Sequence, residues 1–331
     1  METMVHIEGD GVAAACCARL FSASGQLFSS SRVASPRVGT VLLSRQTRML
    51  LSDIFPEVDL SSICHPIQKR IVAWGPAAAP AALAHSAWVI AEADLLDLLW
   101  GQVNVSAKPG QAAGGWRVVA TGPQQRAFGA RMATVTGTLL KRDTDQHACW
   151  IESVDSGWLF LLPRGPDHPA TLIAVGEAPA ILLAQSRLIS AVVDSIDGKG
   201  PAFPAYPRIA FPLCGDGWLA SGAAAMALDP LCGEGTGNAA RQAYLAAAVI
   251  AALLDGEPVE ALLAHYTSRQ LHGFLRHLQI CLTFYQTGGS TEFWRSETAL
   301  IREGIDWTET LLREVSRPAT HRLVGRRLQP L

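Results

Sequence analysis

GWLASGAAAMALDPLCGEGTGNAARQAYLAAAVIAALL, residues 217–254, runs from a short apolar strand through small residues to Asp229-Pro230, three glycines and a long alanine-rich helix. Gly233, Gly235 and Gly237 fall just where that helix begins. Glycine lacks Cβ, so backbone approaches a ligand closely and φ > 0 is allowed. A helix start presents unpaired N–H groups and the positive end of a dipole. Together these receive an anionic or carbonyl-bearing ligand. A glycine-rich cap with no ligand is the other reading of this stretch taken alone.

A second glycine cluster lies at the N-terminus, METMVHIEGDGVAAACCARLF. Val5-His6-Ile7 reads as a short strand, and Ala13 to Leu20 as a helix of small side chains. Gly9, Gly11 and Ala14 between them give G-x-G-x-x-A in the strand–turn–helix context of a dinucleotide site. Gly9 makes the tight turn, Gly11 admits a pyrophosphate and Ala14 lets helix pack on strand. The pattern expects a carboxylate about 20 residues on, after the second strand, to hold a ribose. GQLFSSSR (25–32) places Ser31 or Arg32 there. A Ser31 hydroxyl bonds a ribose more weakly than an ionised group does.

The chain has 331 residues, 49% apolar and 17% charged, enough for one large or two ordinary globular domains. Net charge is −2, from 27 basic and 29 acidic residues, which argues against a nucleic-acid or anionic-membrane surface. Seven scattered cysteines without metal-ligand spacing predict reduced thiols, no metal site and a cytoplasmic location. Glu2, Glu8 and Asp10 argue against a secretory signal. The most apolar helix, 239–254, contains Arg241 and is short for a membrane span.

The first 60 residues read strand, helix, strand, loop, helix, the last over 44–54. Residues 71–74 and 86–90 read as strands, 92–100 as a helix, 106–115 as a linker and 116–122 as a strand. Between 129 and 180, four strand-like runs separated by turns predict an antiparallel sheet. A helix is expected over 179–196, and a helical tail from 257 broken at 287–291. The fold class is therefore α/β: a Rossmann-like dinucleotide domain interrupted by an antiparallel-sheet domain, with C-terminal helices.

Several ordered segments resemble the flavin-dependent monooxygenases and halogenases of the para-hydroxybenzoate hydroxylase-type fold. The nearest branch holds tryptophan halogenases and the flavoprotein hydroxylases that modify tryptophan in quinone-cofactor proteins. Besides G-x-G-x-x-A at 9–14, PRVGTVLL (36–43) is similar to PR-x-GE-x-L, and VVATGP (118–123) to D-ATG-R. GWLFLLP (157–163) resembles W-x-W-x-I-P, with Phe160 for the second Trp and Leu162 for Ile. GWLASGAAAMALDPLCGEGTG resembles GW-LAVGDAA-x-x-DPL-S-x-G, and EFWR (292–295) a late PFW-R.

The resemblance implies FAD as cofactor, held in part by the two turns: Gly9, Gly11, Val12 and Ala13, then Ser31 and Arg32. It adds Gly122, Gly222, Ala223, Pro230, Gly233, Gly235, Thr236 and Gly237. Gly235, Thr236 and Gly237 would offer N–H groups near the flavin N1–C2=O edge. It implies that residues 1–62, 91–128 and 207–256 form the FAD-binding domain. Residues 63–90 and 129–206 would form the substrate side, and 257–331 the helical region. Trp158 and Phe160, on one strand face, would wall the substrate, or else are ordinary core aromatics. The implied activity is oxidoreductase chemistry, a monooxygenase hydroxylating an aromatic or indole-like substrate. The implied partners are an aromatic small molecule or a tryptophan-containing peptide or protein, with a reductase or NAD(P)H as electron donor.

The departures bear on the cofactor. The family's ribityl-binding aspartate is Ala223, the acid after the second strand is missing, the GE glutamate is Thr40 and the third-helix arginine is Ala93. Each lost hydrogen bond costs about 1–3 kcal/mol, so FAD is expected to bind loosely. A flavin-poor, non-catalytic binding or accessory homologue is the rival reading. An NAD(P)-dependent dehydrogenase would have no need of the DPL–glycine segment. No catalytic residue is assigned. Lys69 lies downstream of the halogenase lysine position and reads as a surface charge. His65, His85, His147 and His168 are candidate bases, whereas His265, His272 and His277 read as packing or surface residues.

Overall fold

The computed structural model describes residues 4–33, 37–76, 78–104, 115–119, 124–197, 200–315 and 321–331. The chain begins β1 (Val5–Glu8), α1 (Val12–Ser24), β2 (Phe28–Ser31), β3 (Thr40–Ser44), α2 (Arg45–Ile54), β4 (His65–Ala73), β5 (Ala81–Ala91), α3 (Glu92–Gly101) and β6 (Arg117–Val119). A short β7 (Gln125–Ala127) precedes four longer strands, β8 (Met132–Leu140), β9 (Ala148–Val154), β10 (Gly157–Leu162) and β11 (Ala170–Gly176), and then α4 (Pro179–Gln185). Several short strands lead to α5 (Gly235–Leu254), α6 (Val259–Gly288), α7 (Glu292–Val315) and a hairpin of His321–Val324 with Arg327–Pro330.

Three distant segments build one parallel sheet. β6 lies between β1 and Trp218–Ala220, β2 pairs the other side of β1, and Cys214–Gly215 adds antiparallel at the edge. Small side chains let helices pack closely on this sheet. Ala14, Ala15 and Ala18 of α1 share a buried core with Ala240, Ala243, Ala246 and Ala247 of α5.

The second sheet runs 193–196, β8, β11, β10, β9, β4, β5, β3, and its one parallel pair among these is β4–β9. Side chains alternate between its faces. Ile67, Cys149, Ile151, Trp158, Phe160 and Ile173 pack inward with residues of α6 and α7. Trp150, Leu159, Leu161 and Leu172 pack outward with Leu182 of α4. The α/β class read from the sequence is the one observed, a parallel-sheet layer interrupted by an antiparallel one and followed by long helices.

Three elements differ from expectation. Thr40–Ser44, expected within a loop, is strand β3, paired antiparallel with β5. The helix expected over 179–196 stops at Gln185, and 193–196 is a strand. Buried Glu152 accepts N–H bonds from Arg187 (2.8 Å), Leu188 (3.0 Å) and Ile189 (2.9 Å), and a bond from the Ser186 hydroxyl. A carboxylate that claims three consecutive N–H groups takes them from a continuing helix. The tail ends in a hairpin instead of remaining helical. No helix among the described residues is long and apolar enough to cross a membrane.

Candidate functional site

The site is built at two helix starts. Gly9 turns the chain out of β1 with φ 122° while its N–H holds the Ser31 carbonyl at 2.9 Å. Gly11 is the N-cap of α1, with no side-chain cap, and its carbonyl accepts from Ala15 N–H at 3.1 Å. The N–H groups of Val12, Ala13 and Ala14 therefore lack intrahelical acceptors. A Cβ added at Gly11 would meet nothing within 4 Å.

The start of α5 repeats this design. Asn238 N–H reaches the Glu234 carbonyl at 2.8 Å, no side chain caps the helix, and its first turn holds no acid. Gly235, Thr236 and Gly237 thus carry the free N–H groups. The three glycines serve different ends. Gly233, with φ 63°, closes the turn Pro230–Cys232, and a Cβ there would lie 3.1 Å from Leu42 Cδ2. Gly237 packs on α2, where a Cβ would collide with Thr47 Oγ1. Gly235 alone of the three faces open space, with nothing within 4 Å of an added Cβ.

Gly222 joins the two starts. Its N–H donates to the buried Gln242 Oε1 of α5 at 2.7 Å, and an added Cβ would lie 2.7 Å from the Ala13 Cβ of α1. Ala223, beside it, is exposed, and its carbonyl accepts from Gln125 Nε2 at 2.6 Å. The structure therefore brings Gly9 to Ala13, Gly222 and Ala223, and Pro230 to Gly237 into one region. Gly122 lies outside the described residues.

The second strand's end is already engaged. Ser31 Oγ stands 3.1 Å from His6 Nε2, and Ser29 Oγ 2.8 Å from His6 Nδ1. Arg32 stacks 4.2 Å over the Trp100 ring, and Trp100 Nε1 donates to the Asp10 carbonyl at 2.8 Å. Asp10, between the two glycines, is ion-paired to Arg37, which also approaches Glu92 at 4.0 Å. Burial raises the Glu92 pKa; the Val38 N–H and Arg37 pull it down, and Asp10 adds to the rise. Thr40 bonds Thr171 at 2.7 Å, and Ala93 is exposed.

Beneath the DPL loop lies a buried polar network that sequence reasoning missed. Arg131, just before β8, gives Nη2 and Nε to Asp229 Oδ2 at 2.6 and 2.9 Å and Nη1 to Glu297 of α7. The Arg131 and Asp229 side chains are 0% exposed and that of Glu297 5%. Tyr285 donates its hydroxyl to Asp229 Oδ2 at 2.8 Å, and its ring stacks 4.3 Å from the guanidinium. Burial opposes the Arg131 charge, but Tyr285, Asp229 and Glu297 outweigh it and hold the pKa above its ordinary value. Asp229 Oδ1 accepts from Leu231 N–H at 2.8 Å, and Asp229 N–H donates to His277 Nε2 at 2.9 Å. That bond makes His277 Nε2 an acceptor, in contact with the loop's anchor. Asp229 thus fixes the backbone just ahead of the glycines.

Trp158 and Phe160 sit on the inner face of β10, 0% and 1% exposed. Trp158 Nε1 donates to Tyr285 OH at 2.9 Å, which ties it to the same network. Arg70 of β4 lies on that face, 5.8 Å from the Phe160 ring, and donates Nη2 to His85 Nε2 at 3.0 Å. Its Nε is buried without a hydrogen-bond partner, and no carboxylate ion-pairs with it among the described residues. Burial, then Arg70, pushes His85 down to about 4, so its ring is a neutral acceptor at neutral pH. Lys69 points the other way and pairs with Asp145 at 2.7 Å on the surface. The His65 and His147 rings stack at 5.2 Å and bond backbone carbonyls. No group of three or more His, Cys, Asp or Glu among the described residues could hold a metal ion.

No protein-family model and no curated protein matches the chain. Solved structures do. The flavin-dependent halogenase CmlS aligns with a TM-score of 0.77 at 17% identity, over 96% of this chain and 71% of CmlS. The myxobacterial chondrochloren halogenase CndH, described as a variant of FAD-dependent halogenases, gives 0.74 at 16%, over 96% and 91%. QhpG, a peptidyl tryptophan dihydroxylase essential for tryptophylquinone cofactor biogenesis, gives 0.74 at 18%, over 100% and 86%. With its parallel layer, interrupting antiparallel sheet and paired glycine-rich helix starts, the chain has the fold of the flavin-dependent halogenases and related flavin hydroxylases.

Proposed function

We propose that this chain is an FAD-dependent oxidoreductase, a monooxygenase hydroxylating an aromatic or indole-like substrate. The observation that carries the reading is the pair of uncapped helix starts, each with one glycine, Gly11 or Gly235, open to a ligand. Their N–H groups suit phosphate and carbonyl oxygens. The side chains suit the cofactor less well: Ala223 offers no acceptor, Ser31 is shared with His6, and Asp10 adds negative charge beside the first turn. The fit is one of backbone shape, and it supports loose, noncovalent FAD.

When bound and reduced, the flavin supplies the oxygen-activating chemistry. Gly235, Thr236 and Gly237 would stabilise negative charge at the pyrimidine edge with preorganised N–H donors. The apolar inner face around Phe160 excludes water from the reacting region. Arg70, without a carboxylate partner among the described residues, would orient a polar group of the substrate. An aromatic small molecule or a tryptophan-containing peptide fits this reading, with a reductase or NAD(P)H as electron source. Seven scattered cysteines without metal-ligand spacing support a cytoplasmic location. Titration of the apo protein with FAD, followed by flavin fluorescence, should saturate. A folded protein that binds none at high micromolar FAD refutes the proposal.

The missing anchors favour a second reading, a flavin-poor homologue kept for binding. Ala223→Asp separates the two. Ala223 is exposed, so a carboxylate there bears no burial cost. One charge-assisted bond to a ribityl hydroxyl should tighten FAD by about 1–3 kcal/mol, roughly five- to 150-fold. Unchanged affinity in a folded variant would remove the ribityl chain from that position.

A further inference from the structure

We propose that the cleft between α2, α5, α6 and the C-terminal hairpin binds a nucleotide through its phosphate groups, at a site separate from the flavin cradle. The cleft encloses about 1660 Å³, and none of the candidate flavin residues lines it. It borders the DPL–glycine segment at Leu228 and Glu234, at His277, which accepts from Asp229 N–H, and at Gln242, which accepts from Gly222 N–H. Small-molecule pockets usually measure about 300–1,000 Å³, so a nucleotide and its water fit without rearrangement.

The charge inside is unbalanced. Asp53 and Glu234 are the acidic lining residues among those described, and both are taken: Glu234 pairs with Arg241 at 3.3 Å, and Asp53 lies 3.7 Å from Arg326. Arg269, Arg276 and Arg322 also line the cleft, all exposed, and none forms an ion pair among the described residues. Burial, and next His321 and Arg269, lowers the His265 pKa from its ordinary value.

The spacing selects the ligand. Arg269 and Arg276 stand two turns apart on α6, about 10 Å along its axis. A chain of linked phosphates engages both better than one small anion does, and guanidinium forks match phosphate oxygens. Ile280 and Leu323, 39% and 43% exposed, add apolar surface to the same cleft for a flat base.

Calorimetric titration of the FAD-free protein with ADP tests this. ADP should saturate the wild type, and adenosine should not displace it. Arg269→Gln/Arg276→Gln should weaken ADP by at least about tenfold without lowering the melting temperature, since neither arginine has an ion-pair partner among the described residues to lose. Arg322→Gln, on the separate hairpin, should also weaken it. Gly11→Val, which fills the turn before α1, should leave this binding intact. Absence of ADP binding overturns the proposal. So does binding lost in Gly11→Val but kept in the double arginine variant, because the nucleotide then occupies the flavin cradle. An aspartate-rich peptide that displaces ADP at lower concentration would assign the cleft to a protein partner and overturn it too. FAD affinity of the same variants reports on the flavin reading alone.

Discussion

Arg131→Met is expected to destabilise the fold by about 3–5 kcal/mol, a large share of the roughly 5–15 kcal/mol by which folded domains are stable. The methionine fills much of the arginine's volume, but Asp229 and Glu297 then remain buried without a cation. The loss also unpins the DPL loop, because Asp229 holds Leu231 and His277 from the same position. Arg131→Lys should fall between the two, since an ammonium keeps the charge but not the forked geometry. Arg295→Met is the control. Its partner Glu292 lies on an exposed helix turn, and surface pairs contribute at most about 1 kcal/mol. Urea unfolding of all three variants decides the matter. If Arg131→Met and Arg295→Met have the same midpoint, the buried network does not anchor the loop.

Gly235→Val should abolish flavin binding while barely moving the melting temperature. A Cβ there meets nothing within 4 Å beyond its chain neighbours and its own helix backbone, and Gly235 lies outside the left-handed region, so the fold should accept the change. The branched side chain fills the ligand's space instead. Gly233→Val is expected to do the reverse. There φ is 63° and Leu42 stands 3.1 Å from the new Cβ, so stability falls first. Thermal unfolding of the ligand-free variants beside FAD affinity gives both readouts. A Gly235→Val protein that melts several degrees lower yet binds FAD normally refutes the flavin-edge assignment.

Both glycine turns were legible because their signal is local: strand, turn and helix follow one another within 20 residues. What each glycine does was not. Gly233 answers to Leu42 and Gly237 to Thr47, contacts that only the folded chain creates. The same limit hid Arg131. Nothing local marks it out; it matters only because β8, the DPL loop, α6 and α7 converge on it. The helix expected to 196 failed because Glu152, in a strand well upstream, takes its backbone donors. The C-terminal hairpin did leave a local mark. His321-Arg322-Leu323-Val324 and Arg327-Leu328 flank Gly325, whose φ is 56°. The helical pattern before it outweighed so short a run.

The position of β6 between β1 and Trp218–Ala220 sets an order of assembly during synthesis. β1, α1 and β2 leave the ribosome first, yet the sheet cannot finish until residues beyond 220 emerge. The alanine face of α1 waits longer, for α5 to cover it. Until then the nascent chain carries an open strand edge and an uncovered apolar helix, the features that recruit chaperones or seed aggregation. The β9–β10 and β10–β11 pairs are close in sequence and suffer no such delay. The β9–β10–β11 pairings can thus form before residues beyond 220 emerge, whereas the parallel layer that carries both glycine turns cannot be completed until then.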